Sequence, residues 1–186
     1  MARLIYTAIT SLDGYIADAT GNFDWSTPDD EVHAFVNDLE RPIGTYLYGR
    51  RLYEVMASWQ TVTAEESPGV MADYAQLWRA ADKIVYSNSL TEVSTPKTRL
   101  EHGFDPASIR TLKESTDRDL SIGGPRLASF AIEAGLVDAF GVFVNPVIVG
   151  GGTKYLPEHV RVDLELVDEH RFGNGVVYLS YRPRTS

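Results

Sequence analysis

Three short stretches of this chain pair flexible backbone with groups that bind anions. At Gly49-Arg50-Arg51 a glycine precedes a run of helical spacing, so the free amides of a helix start and two guanidinium groups converge on one point. At Gly123-Gly124-Pro125 two glycines stop an apolar run. Proline suits the first helical position there, because the donor it lacks would be unpaired anyway. Ser87-Asn88-Ser89 closes another apolar run and offers donors to a phosphate or a ribose. Together these describe a cradle for a phosphorylated ligand, although each alone also reads as an ordinary turn or strand-to-helix corner. Neither G-x-G-x-x-G nor a Walker A pattern occurs. For proton chemistry the candidate is Asp30, near Trp25 and at the front of an amphipathic helix. Thr27-x-x-Asp30 equally resembles a capping box, in which Asp30 only starts the helix. Glu31 and His33 are the fallback acids. No histidine pair has metal-ligand spacing, so no metal is expected, and the absence of cysteine excludes the zinc site of a nucleobase deaminase.

The elements that would position these groups follow from hydrophobic periodicity. Residues 4–9 form an apolar, β-branched strand, Asp13-Gly14 breaks it, and Tyr15-Ile16-Ala17 resumes. Val32, Phe35, Val36 and Leu39 have the spacing of a helix, with Thr27 as its cap and Pro28 at its first position. Residues 45–48 are a short strand that Gly49 ends before a helix through Leu52, Val55, Met56 and Trp59. Val70, Tyr74, Leu77 and Trp78 mark another helix, followed by a strand at 83–86. The stretch 91–119 is punctuated by Pro96 and Pro106 and carries one short helix around Ile109 and Leu112. A strand at 120–122 leads into a helix through Leu127, Phe130, Ala131 and Ala134 that stops at Gly135. Residues 139–149 are a long apolar run, broken or bulged at Pro146, before Gly150-Gly151-Gly152. Gly173-Asn174-Gly175 joins the runs 164–170 and 176–181 into a hairpin. Strands alternating with helices imply an α/β fold, one mostly parallel sheet covered on both faces with an antiparallel hairpin at its edge. Ligands of such sheets sit beyond the carboxyl ends of the strands, where the three loops fall.

A length of 186 residues suits a single domain over the whole chain, and 44% apolar with 23% charged residues is the composition of a globular protein. Lysine and arginine number 17 against 26 aspartates and glutamates, a net charge of −9 that repels phosphate backbones and anionic headgroups. Neither nucleic acid nor membrane is an expected partner. The lack of cysteine removes disulfides, thiolate nucleophiles and iron–sulfur clusters. With no cleavage-site pattern near the start and no apolar run approaching about 18 residues, the expectation is a cytoplasmic protein. The 139–149 run and the hairpin suggest a sheet edge or face that a second subunit covers, so a homodimer is expected.

Six motifs, taken in order and spacing, resemble those of the dihydrofolate reductase superfamily. They are Ser11-Leu12-Asp13-Gly14-Tyr15-Ile16-Ala17, Trp25-Ser26-Thr27-Pro28-Asp29-Asp30, Gly49-Arg50-Arg51-Leu52-Tyr53-Glu54, Ile122-Gly123-Gly124-Pro125, Gly135-Leu136-Val137-Asp138 and Pro146-Val147-Ile148-Val149-Gly150-Gly151-Gly152. The pattern is more closely similar to the reductase half of the bifunctional riboflavin-biosynthesis deaminase/reductase, over nearly the whole chain. This resemblance implies a three-layer α/β/α domain that binds NADPH and reduces a small-molecule substrate. It places Gly49, Arg50, Arg51, Ser87 and Asn88 around the adenosine end and its 2′-phosphate. Gly123, Gly124, Arg126 and Leu127 would then hold the pyrophosphate. Ala8, Ile9, Ile16, Asp13 and Gly14 would line the nicotinamide and the substrate, with Trp25 also on the substrate side. Leu52 stands where the family usually has threonine and cannot donate a hydrogen bond, which leaves Arg50 and Arg51 to set any preference for NADPH over NADH. Trp25-x-x-Pro28-x-Asp30 resembles the folate reductases, in which the matching acid helps protonate the pterin. The riboflavin reductases do without it, and Asp13-Gly14 with Gly135-Leu136-Val137-Asp138 lean to their side. The implied activity is hydride transfer to a pterin-like or ribosylaminopyrimidine substrate, as in a 5-amino-6-(5-phosphoribosylamino)uracil reductase. The alternatives are dihydrofolate reductase activity proper and a non-catalytic nucleotide-binding or oligomerisation module.

Overall fold

The first strand, β1 (Leu4–Ser11), turns Leu4 and Tyr6 to one face and Ile5 and Ile9 to the other, the two-residue period of a strand buried on both sides. A computed structural model, which describes residues 1–184, shows how the rest of the chain is laid on that strand. In order follow β2 (Tyr15–Ala17), α1 (Asp30–Glu40), β3 (Ile43–Gly49), α2 (Arg50–Met56), α3 (Val70–Ala80), β4 (Asp82–Tyr86) and β5 (Thr98–Glu101). Then come α4 (Pro106–Ser115), β6 (Asp119–Gly123), α5 (Pro125–Glu133), β7 (Ala139–Asn145), β8 (Thr153–Lys154), β9 (Leu164–Arg171) and β10 (Val177–Pro183). Eight strands form one sheet in the order β5-β4-β3-β6-β1-β7-β10-β9, while β2 and β8 pair apart from it. From β5 to β7 all neighbours are parallel, and β10 runs antiparallel to both β7 and β9. Ile109 of α4 and Leu127, Ala128, Ala131 and Ile132 of α5 pack on Leu4, Tyr6, Leu47 and Leu120. The other face carries α1 and α3 through Val32, Tyr74 and Trp78. The fold is therefore the expected α/β architecture with helices on both faces.

Four local expectations need correction. The helix α1 is capped by Asp29, whose carboxylate accepts the Val32 amide at 3.0 Å, so Thr27 and Pro28 precede it, after a short 3-10 turn at Asp24–Ser26. A side chain that satisfies an orphan amide directly outcompetes a threonine two residues upstream. The helix after Gly49 ends at Met56, and Ala57–Gln60 is a 3-10 turn. Strand β5, Thr-Arg-Leu-Glu with two exposed residues, lies in the stretch expected to carry only a short helix, because a short polar edge strand carries little hydrophobic signal. Finally, β7 stops at Asn145, since Pro146 cannot continue the ladder, and it lies between β1 and β10. The apolar run that suggested an exposed edge is interior. The sheet's two edges are β5 and β9, and Leu166 and Val167 are exposed on β9.

Candidate functional site

The centre of the sheet opens at its carboxyl end. β1 pairs with β6 only from Leu4 to Tyr6, yet with β7 from Ile5 to Ser11. Ala8 and Ile9 thus lie on a stretch that has a strand neighbour on one side only. At the other bank of this gap, β3 ends at Gly49 and β6 at Gly123. A Cβ added at Gly123 would collide with Leu52, and Gly124 has φ +91°, so both glycines are dictated by the fold. Gly49 is different: its φ is −73° and an added Cβ would meet only Leu127, at 3.9 Å. Nothing within the chain demands glycine there, which fits a backbone kept bare for a ligand. Neither Gly49 nor Gly124 gives its helix a side-chain cap, so the first amides of α2 and α5 remain as donors beside each other. Leu127 itself is buried in the core and can offer only its backbone, while Arg126 is exposed.

The departure at Leu52 now has a structural account. Its side chain fills the space over Gly123 that a Cβ would occupy, tying the two corners by apolar contact. Arg50 spans the next gap, donating from Nε to Glu54 at 2.7 Å and from Nη1 to the Ser89 hydroxyl at 3.0 Å. Ser87 Oγ in turn accepts the amides of Ser89 and Leu90, which shapes the turn after β4. Arg50 and Ser87 thus meet at the Ser89 hydroxyl, with Asn88 exposed between Ser87 and Ser89. Arg51 is exposed and makes no hydrogen bond among the described residues. The Glu54 partner was missed, although its spacing of four from Arg50 is the signal for such a pair. These residues fit a nicotinamide dinucleotide in three respects: bare helix starts for the pyrophosphate, one free guanidinium beside a prearranged one, and an open strand edge. Leu52 removes one donor from that set.

On the substrate side the structure sorts the candidates. Asp30 is exposed on the first turn of α1, close in sequence to Val32, which packs in one cluster with Ile9. Glu31 accepts the Gly173 amide at 3.1 Å, and His33 contacts Asn37 and lies edge-on to Trp59 and Tyr74, so both fallback acids already hold the fold. Trp25, half-buried in the 3-10 turn, donates to the Asn22 carbonyl at 3.3 Å. Ile16 packs on the core around Tyr6. Asp13 differs from expectation in what its side chain touches: both carboxylate oxygens accept backbone amides, from Val149 at 3.2 Å and Gly150 at 2.8 Å. Gly14 has φ +86° and forms the turn, its amide donating to Ser11. A cavity of about 200 Å³ lies at the opposite end of the sheet, against Thr7, Glu40, Ser121 and Tyr178, and touches none of these residues.

Comparison with known proteins bears on the fold and the family. The uncharacterized protein YyaP of Bacillus subtilis (strain 168) is 27% identical over 181 residues, 96% of this chain and 94% of that protein. A solved structure from Shewanella sp. PV-4, named for riboflavin biosynthesis, superposes over 100% of both chains with a TM-score of 0.78 at 24% identity. The Thermotoga maritima diaminohydroxyphosphoribosylaminopyrimidine deaminase/5-amino-6-(5-phosphoribosylamino)uracil reductase matches 98% of this chain, which spans 57% of that enzyme, at 18% identity and a TM-score of 0.66. Dihydrofolate reductase from Enterococcus faecalis, solved with NADP(H), covers 98% of this chain with 97% of its own, at 15% identity and a TM-score of 0.64. The fold is thus the dihydrofolate reductase-like one. Residues 2–178 match the RibD C-terminal domain, and the chain belongs to that family.

Proposed function

We propose that this protein is an NADPH-dependent reductase of a pterin-like or ribosylaminopyrimidine substrate. The observation that carries the reading is the pair of uncapped glycine corners, Gly49 and Gly123-Gly124, meeting beside the one-sided stretch of β1. The first-turn amides of α2 and α5 would bind the pyrophosphate, and Arg50 and Arg51 the 2′-phosphate. Ala8 and Ile9 would orient the nicotinamide, and Ile16 and Trp25 would exclude water from the substrate face. The coenzyme, when bound, supplies a hydride to an electron-poor C=N or C=O carbon. The heteroatom of that bond then needs a proton, which Asp30 would give directly or through a water it orients.

The test is coenzyme oxidation with dihydrofolate and with the ribosylaminopyrimidine side by side. Turnover with the second and not the first is expected; the reverse would make this a folate reductase, and turnover with neither, in a protein that does not bind NADPH, would favour a non-catalytic module. Asp30→Asn is expected to lower kcat about a hundredfold with NADPH affinity unchanged. Unchanged turnover would remove Asp30 from the chemistry. We further propose a homodimer built on β9, where a second copy would pair with the open edge and cover Leu166 and Val167. Light scattering that returns the monomer mass would refute it. No helix among the described residues is long and apolar enough to cross a membrane. That, the net charge of −9 and the lack of cysteine support a cytoplasmic enzyme free of membrane and nucleic-acid partners.

A further inference from the structure

Two loops meet at the nicotinamide side of the cleft, and one exposed carboxylate joins them. The turn after β1 is closed by the Gly14 amide on the Ser11 carbonyl at 3.0 Å and by the Tyr15 amide on Ser11 Oγ at 3.0 Å. The segment after β7 carries three successive glycines of positive φ, Gly150, Gly151 and Gly152, a backbone with little conformational preference of its own. Four sets of contacts bind one to the other. The Leu12 amide donates to the Val147 carbonyl at 2.8 Å and the Tyr155 amide to the Gly14 carbonyl at 3.0 Å. Strands β2 and β8 pair, Tyr15 with Lys154 and Ala17 with Thr153, and Gly152 lies so close to Ala17 and Asp18 that no Cβ fits. Between these, Asp13 accepts the Val149 and Gly150 amides, one on each oxygen. The Ser11 hydroxyl, with those amides, holds the carboxyl below its usual range.

We propose that Asp13 is a positioning residue that acts through the glycine loop: its carboxylate clasps residues 147–150 to the turn after β1 and so fixes the arc from Ala8 to Ile16 on which the nicotinamide half rests. Asp13 is the only side chain among these contacts that reaches the glycine loop with two acceptors, and charge-assisted bonds to amides are the stronger kind. This inference rests on the coenzyme reading above. It predicts that removing the carboxylate loosens one end of the dinucleotide site and leaves the other as it was.

The experiment is amide hydrogen exchange on the free protein, joined to binding of NADPH and of 2′,5′-ADP, which probes the adenosine end alone. In Asp13→Ala, exchange at Val149, Gly150 and Tyr155 is expected to rise roughly tenfold or more while amides of β3 and β6 keep their rates. The NADPH Kd is expected to weaken roughly tenfold and that for 2′,5′-ADP to stay within about twofold. Asp13→Asn, with one acceptor oxygen and no charge, should fall between. Unaltered exchange in the glycine loop, or equal losses for both nucleotides, would overturn the proposal. If the wild-type protein binds neither nucleotide, the coenzyme reading fails, and the exchange result still decides whether Asp13 clasps the loops.

Discussion

The two ends of the central sheet are built on opposite principles. The amino end is sutured by charge. Arg3 grips Asp119 through its backbone amide at 2.8 Å and its guanidinium at 2.6 and 3.0 Å, Lys113 lies 2.5 Å from Asp138, and Asp138 also accepts the Leu4 amide at 2.7 Å. Arg118 donates to the carbonyls of Arg41 and Ile43. At the carboxyl end the corners after β3 and β6 are glycines without side-chain caps, and the side-chain bridges there, Arg50 to Ser89 and Asp13 to the Val149 and Gly150 amides, join loops rather than strands. Groups satisfied within the chain hold strands in register; groups left unsatisfied beside one another are available to a ligand. On the proposed reading the contrast divides stability and binding between the two ends, and it can be broken from either side.

The largest expected effect comes from a flaw in the sutured end. Glu40, the last residue of α1, has an Oε2 that is buried without a partner, and burial pushes its carboxyl up to about 7 from an ordinary 4.5. The folded protein keeps this proton to higher pH than the unfolded chain does, so stability falls as pH rises from about 4.5 to 7 and is flat in this respect above. Glu40→Gln should therefore match the wild type in denaturant titrations at pH 4 and exceed it at pH 8, by up to about 3 kcal/mol, without altering coenzyme affinity. Next is Gly123→Val. Its added atoms meet Leu52 and Tyr48, separating the two corners, and calorimetry should show NADPH binding weakened about a hundredfold or more. An unchanged Kd would break the link between the corners and the coenzyme. Asp138→Ala leaves Lys113 buried with one carbonyl partner and the Leu4 amide unpaired, at a cost of about 2 kcal/mol in stability but none in NADPH affinity. The smallest effect is Arg51→Gln, which should lower the preference for NADPH over NADH about tenfold, since Arg50 is already held by Glu54 and Ser89.

Much of this was legible in the residues. Strands buried on both faces announce themselves as apolar runs, and Gly123 and Gly135 mark corners because a side chain would collide or φ turns positive there, whereas Gly49 marks one under neither constraint. What escaped was long-range. That β7 is interior and β9 an edge depends on strand order, which local periodicity does not encode. The partners of Asp13 lie more than a hundred residues away, so its role in tying loops left no mark on its surroundings in sequence. Asp29 displaced Thr27 as the cap because both residue types cap well and only backbone geometry chooses between them.

Titrating the isotope-labelled protein with NADPH and following backbone amide shifts tests the central claim most directly. Shifts concentrated at residues 8–9, 49–52, 87–89 and 123–127 are expected, with the amino end around Asp119 and Asp138 undisturbed. Saturating coenzyme that leaves those residues unmoved, or that perturbs the cavity beside Glu40 instead, would contradict it.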